Sequence, residues 1–306
     1  KPVSRLDWLG DRSLIISVGA ANEPDALIVA NILDDPKGRR YETVVVPRVG
    51  VLVKVLDREP GHILFASRSG DGVAVHKLDV RSQKAVDAFD FTSATRHDRG
   101  IYRGQAYFAD GAGRIRMAIA EDKTGKRLLM YGGDGSYRPL MVLDETADFE
   151  PAGLSADGAL IYGRAEHDRG QRDLVELDPA TGQVTRTVFS KPGHDILAPL
   201  FSATGELIGA TYFENGLLFS HYFRETDAVL YRRLNNAFPG KAVSILQATP
   251  SRRKYLVAVG GSDKPIDIYF FDADASRASL ASETAPWLDC TQTSVSVSLS
   301  RAMSAL

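Results

Sequence analysis

Six histidines, His62, His76, His97, His167, His194 and His221, are the side chains best suited to metal binding or proton transfer. No two stand four residues apart and no His-Glu-x-x-His string occurs, so they carry no zinc signature. The single cysteine, Cys290, permits no intrachain disulfide. A serine nucleophile elbow needs G-x-S-x-G, because its strained turn admits only small neighbours. Gly153-Leu154-Ser155-Ala156-Asp157-Gly158 is one residue too long for it and reads as a strand-to-strand turn. Gly111-Ala112-Gly113 lacks the third glycine of a dinucleotide fingerprint. Asp272, Asp274, Ser276 and Glu283 match positions 1, 3, 5 and 12 of a calcium loop, but Arg277 stands where the sharp turn requires glycine. The sequence thus presents no catalytic set and predicts no metal and no cofactor.

Charge offers the remaining candidate. The string His-Asp-Arg-Gly occurs at His97–Gly100 and again at His167–Gly170. The first lies between blades and the second between strands two and three, and these loops open on one face, so Arg164, Glu166, His167, Asp168 and Arg169 crowd one rim near the first copy. Solvated loops explain such a cluster most simply. A sharper reading is a charged rim that pairs with another domain or steers a charged peptide end.

The elements that position these residues repeat with a period of roughly 47. Asp110-Gly111, Asp157-Gly158 and Thr204-Gly205 follow one another at intervals of 47 residues. A short apolar strand follows each: Ile115–Ile119, Leu160–Gly163 and Leu207–Ala210. The same strand occurs at Leu14–Val18, Ile63–Ala66 and Tyr255–Val259. A second marker, a strand ending in aspartate, recurs at Val75–Leu78, Leu174–Leu177 and Ile268–Phe271. Between 148 and 190 a whole unit is legible as four strands, Phe149–Ser155, Leu160–Ala165, Asp173–Leu177 and Gln183–Phe189, separated by tight turns.

Short strands at this period predict an all-β fold, a β-propeller of four-stranded antiparallel blades. Six blades are expected, at about 3–47, 49–91, 101–143, 148–190, 195–238 and 241–283, with seven in a longer protein. The fifth unit departs from the pattern. Leu230, Leu234 and Phe238 recur at helical spacing, so a helix is expected over 226–238, capped by Thr226 and stopped by Pro239-Gly240. It either decorates the blade edge or offers a docking surface. The stretch 290–306 is a divergent, serine-rich tail, in which Thr293–Ser300 alternates like an edge strand or lacks structure altogether.

Composition bounds the function classes. The 306 residues are 44% hydrophobic, which suffices for a sizeable core. The formal net charge is -2, from 37 basic and 39 acidic residues that are interspersed, which argues against a nucleic-acid partner. No apolar run reaches the length of a membrane span. Lys1 stands directly before a strand, so removal of an upstream segment, a signal peptide among the candidates, is expected. Cytoplasm and periplasm are both compatible with one cysteine.

The order of the motifs carries a family likeness. Leu154-Ser155-Ala156-Asp157-Gly158, then Ile161–Glu166, then Asp173–Gly182 resembles the propeller of prolyl oligopeptidase family serine peptidases, closest to the bacterial dipeptidyl aminopeptidase or acylaminoacyl peptidase type. Asp195–Phe213, Gly113–Arg116 and Pro286–Asp289 agree with it, so the likeness covers about Val3 to Asp289. It implies a partner, an α/β-hydrolase domain with a Ser-Asp-His triad, that follows the propeller. It also implies a role for the propeller in limiting access to short peptides. The sequence has no position for any of these catalytic residues, so the chain alone is expected to be inactive. The unlike tail suggests a truncated or altered end. The alternative is a free-standing propeller that binds a protein partner. An incompletely closed ring would expose strand edges and favour self-association.

Overall fold

The structure is a computed structural model that describes residues 3–19, 25–33, 40–69, 72–144, 148–167, 170–202, 204–261 and 264–283. These form five antiparallel sheets in chain order. The first holds β1 (Val3–Trp8), β2 (Ser13–Val18), β3 (Asp25–Leu33), β4 (Arg40–Val55), β5 (His62–Ser69) and β6 (Gly72–Asp79), and a short helix α1 (Gln83–Asp87) follows it. The second holds β7 (Gly104–Ala109), β8 (Ile115–Glu121), β9 (Arg127–Gly133) and β10 (Ser136–Val142). The third holds β11 (Phe149–Leu154), β12 (Ile161–His167), β13 (Gln171–Asp178) and β14 (Gln183–Phe189). The fourth has only β15 (Ile196–Phe201), β16 (Leu207–Glu214) and β17 (Leu217–Tyr222), followed by helix α2 (Glu225–Ala237). The fifth holds β18 (Ala242–Ala248), β19 (Lys254–Gly261), β20 (Lys264–Asp272) and β21 (Arg277–Glu283).

The ring closes on itself. Trp8 N–H donates to Gln247 Oε1 at 2.9 Å, and Ser251 Oγ donates to Asp11 Oδ1 at 2.8 Å. The Trp8 and Phe270 rings meet edge to face at 6.2 Å. First and last sheets are therefore neighbours, and the fold is an all-β propeller. Among the described residues this closure uses side chains, with no strand shared across it.

The expected count of six blades, or seven, is corrected to five. The first two sequence units merge, because the 16-residue β4 pairs with β3 on one side and β5 on the other. Pro47, which reads as a break, lies where the register slips between the pairs Ala26↔Val49 and Ile28↔Val45. A bulge tolerates its missing N–H. The second unit also lacks a fourth strand. Helix α1 stands there, and its Gln83 side chain satisfies the backbone N–H of Val45 at 2.8 Å and its carbonyl at 3.0 Å.

The anticipated helix forms as α2, from Glu225 to Ala237. Its cap is Arg224 rather than Thr226, and no side chain bonds the free N–H groups there. Glu225 and Asp227 in the first turn complement the positive end of the helix dipole instead. The helix packs Leu234, with Leu230, Tyr231 and Phe238 beside it, onto Val243, Tyr255 and Val257 of the fifth sheet. It thus takes the place of a fourth strand in the fourth sheet and leans on the next. The stretch 290–306, with Cys290 and Thr293–Ser300, lies outside the described residues, as do Pro286–Asp289.

Buried apolar clusters fill the seams between most sheets. Leu64, Val75, Tyr107 and Ala118 join the first to the second; Met117, Leu129, Ile161 and Val175 join the second to the third. Tyr162, Leu174, Ile196 and Ala210 join the third to the fourth. The seams on either side of the fifth sheet differ. Among the described residues no such cluster links its strands to those of the fourth or the first, apart from the packing of α2.

Candidate functional site

The charged rim assembles only in part. Arg164, near the end of β12, reaches Glu150 on β11 at 2.5 Å and the carbonyl of Ile196 at 3.3 Å. Arg172, at the start of β13, binds the same Glu150 oxygen at 3.2 Å. Glu166 N–H donates to the Asp148 carbonyl at 3.3 Å. Arg164, Glu166 and Arg172 line a groove of about 380 Å³ between the second and third sheets, with Arg127, Asp144 and Asp148 on its walls. Glu150 and Arg172, absent from the sequence reading, are the residues that knit this cluster together. Strand pairing explains why: Glu150 lies opposite Arg164, and Glu166 opposite Arg172. His167 ends β12, and Asp168 and Arg169 lie outside the described residues.

The first His-Asp-Arg-Gly string occupies another seam and has a structural role. Asp98 is fully buried and accepts from Val75 N–H at 3.1 Å and from Arg96 at 2.6 Å. Asp195 repeats the device, accepting Arg172 N–H at 2.7 Å across the same separation of 23 residues. A connection carboxylate thus fastens the third strand of the preceding unit in both places. The calcium-like aspartates are similarly occupied. Asp272 accepts the N–H groups of Asp274 and Ala275, and Asp274 pairs with Arg253. Among the described residues no three His, Cys, Asp or Glu side chains converge as a metal set.

The turns that define the repeat meet at the axis of the ring. Gly111 N–H donates to the Ala156 carbonyl at 2.7 Å. A Cβ on Gly111 would lie 2.7 Å from that oxygen and 3.0 Å from the Thr204 carbonyl. These three residues belong to the second, third and fourth sheets, and non-adjacent sheets approach so closely only near the axis. The backbone therefore fills this side of the ring, and only glycine fits at 111.

The other side is hollow. An axial cavity of about 240 Å³ lies among the first, fourth and fifth sheets, lined by Arg5, Asp7, Lys54, Asp57, Phe201 and Gln247. A second space of about 520 Å³ shares Arg5, Asp57, Phe201 and Gln247 and extends between the fourth and fifth sheets. Its walls include Leu200, Ile208, Leu230 and Ile245. The pairs Arg224–Glu206 and Arg252–Asp227 flank it. The missing fourth strand and the tilt of α2 account for this room.

The axial polar groups hold one another in part. Asp7, whose side chain is 3% exposed, accepts from Arg5 at 2.8 Å and from Gln247 Nε2 at 2.5 Å. Its Oδ2 has no hydrogen-bond partner among the described residues, nor does Trp8 Nε1. Burial pushes the Lys54 ammonium down, and the carboxylates of Asp57 and Asp110 oppose that shift. Burial pushes Asp57 up, with Lys54 opposing it. Desolvation therefore exceeds mutual attraction for this pair. None of this set was recognisable from sequence, because Arg5, Lys54, Asp57 and Gln247 come from three separate units.

No family model matches this sequence, and no curated protein matches it. Solved structures with a similar path include a puromycin hydrolase, at TM-score 0.46 and 16% identity over 94% of this chain and 45% of that one. A putative TolB from Agrobacterium tumefaciens gives 0.49 and 13% over 86% of this chain and 89% of that one. Oligopeptidase B from Leishmania major gives 0.47 and 8% over 95% and 50%. This chain spans about half the length of the two enzymes. At such identities and scores the likeness does not extend to activity. Among the described residues no helix is long and apolar enough to cross a membrane.

Proposed function

We propose that this chain is the non-catalytic β-propeller of a prolyl oligopeptidase-like serine peptidase. In this reading it limits entry of peptides to a hydrolase domain outside these residues. The observation that carries the proposal is the asymmetry of the ring. Turns fill the axis beside the second to fourth sheets, while a charged cavity opens among the first, fourth and fifth. Among the described residues no buried apolar cluster joins the strands of the fifth sheet to those of its neighbours, and an open space lies beside it, so in this reading a side passage there admits an extended chain and excludes a folded protein. The groove of Arg164, Glu150 and Arg172 then serves as a contact with the hydrolase domain or with charged peptide ends.

The test is a length series on the polypeptide encoded by the whole gene. One cleavable sequence is presented as a short peptide and again within a folded protein. Cleavage of the short form alone is expected, and Leu246→Trp at the cavity should slow it by raising KM. Equal cleavage of both forms would remove the gating role.

A further inference from the structure

A groove of about 920 Å³ opens between the first and second sheets, where β4 runs beside β7. Val49 and Val51, two apart on β4, share one face and are 53% and 52% exposed, so water reaches this wall. Val53 and Val73 carry the apolar surface down into the buried cluster that joins the two sheets. Gly50 keeps the strand close to its neighbour, since a Cβ there would collide with the Phe65 ring and the Ala66 carbonyl. Charge of one sign is in excess here: Arg5, Arg68 and Arg103 line the groove against Glu121. Glu121 is committed, accepting from Arg103 at 3.2 Å and from Gln105 at 3.1 Å, and Arg5 is held by Asp7 at 2.8 Å. Arg68 is exposed and forms no ion pair or side-chain hydrogen bond among the described residues.

Apolar surface exposed inside a groove and rimmed by polar groups marks a ligand site, because covering it removes that surface from water. Such sites combine an apolar wall with a few polar groups that fix orientation, in volumes of about 300–1,000 Å³. A guanidinium binds a carboxylate through two parallel hydrogen bonds, and Arg68 can do so without breaking an existing pair. Apolar wall and cationic rim together fit a molecule with an aliphatic body and an anionic head. We propose that this groove binds a medium-chain fatty acid. Its carboxylate lies on Arg68, Arg103 adds attraction from the facing wall, and its chain runs along Val49, Val51 and Val53 toward the seam. The wall is built of valines rather than stacked rings, which suits an unbranched chain. The groove and its charges stand without the peptidase reading.

Isothermal titration calorimetry on the 306-residue chain tests this with octanoate, decanoate and decyltrimethylammonium, each below its micelle concentration. Decanoate should bind one per chain and about tenfold more tightly than octanoate, since two further methylenes leave water. The cation of equal chain length should bind at least about tenfold more weakly than decanoate. Arg68→Gln should weaken decanoate by about tenfold and leave the weak binding of the cation unchanged. Val51→Glu, at an exposed position, should abolish decanoate binding by placing a carboxylate in the wall. Circular dichroism melting checks that both variants are folded, and Arg68→Gln decides the matter if Val51→Glu is not. No heat with decanoate overturns the proposal. So do equal binding of acid and cation, several molecules bound per chain, indifference to Arg68→Gln, or full binding by a folded Val51→Glu variant.

Discussion

Asp98 illustrates how a polar residue in this chain can serve the fold instead of a reaction. Its carboxylate is fully buried, fastens β6 through Val75 N–H and holds Arg96 at 2.6 Å. Asp98→Ala leaves an N–H group without its acceptor and should cost about 3 kcal/mol in urea denaturation. An unchanged midpoint would show that the staple is dispensable. His76 gives a second prediction at this scale. It is 1% exposed and packs between Phe89 and Phe91, each with its ring centroid 5.8 Å away. Burial pushes its imidazole down, as it does for His97 and His221. Between the lowered native value and the ordinary 6.5, the unfolded chain binds more protons than the native one. Stability should therefore be complete above about pH 6.5 and fall as the pH drops below it. His76→Phe should flatten part of that slope in melting curves taken from pH 7.5 to pH 5. A steeper slope in the variant would contradict the assignment.

The elements were legible where they repeat and obscure where they deviate. The four strands expected between 148 and 190 form as β11 to β14, because alternating strands and Pro-Gly turns state the structure locally. The helix over 226–238 was visible from the four-residue spacing of its apolar positions. The fusion of the first two units was not, since Pro47 signals a break and only tertiary pairing shows it lodged in a bulge. The charged rim was half legible: Arg164 and Glu166 come together, but Glu150 and Arg172 join them through strand register. The axial cavity was invisible because closure of the ring creates it from distant residues. Two substitutions test the elements. Gly111→Ala forces a Cβ to 2.7 Å from the Ala156 carbonyl and should destabilise by about 2–3 kcal/mol. Gly125→Ala meets open space and strains only its φ of +85°, so about 1 kcal/mol is expected. Similar losses at both sites would mean that the turns do not pack at the axis. Leu234→Ala, on the buried face of α2, should cost about 2–4 kcal/mol in the same assay.

At the scale of the whole molecule, the propeller is a ring with one soft side. Apolar clusters join its first four sheets, while the fifth is held by α2, by Gln247 with Asp7 and Trp8, and by Ser251 with Asp11. Hydrogen exchange should accordingly show faster opening of β18 to β21 than of β11 to β14. Such a ring positions charges around an opening among its first, fourth and fifth sheets, and the proposed gating role rests on that asymmetry. The most direct test is stoichiometric labelling by a fluorophosphonate, measured by intact mass on this chain and on the polypeptide encoded by the whole gene. The account predicts no label on the 306-residue chain and one per molecule on the longer polypeptide. A label on the chain itself, or none on the longer polypeptide, would contradict it.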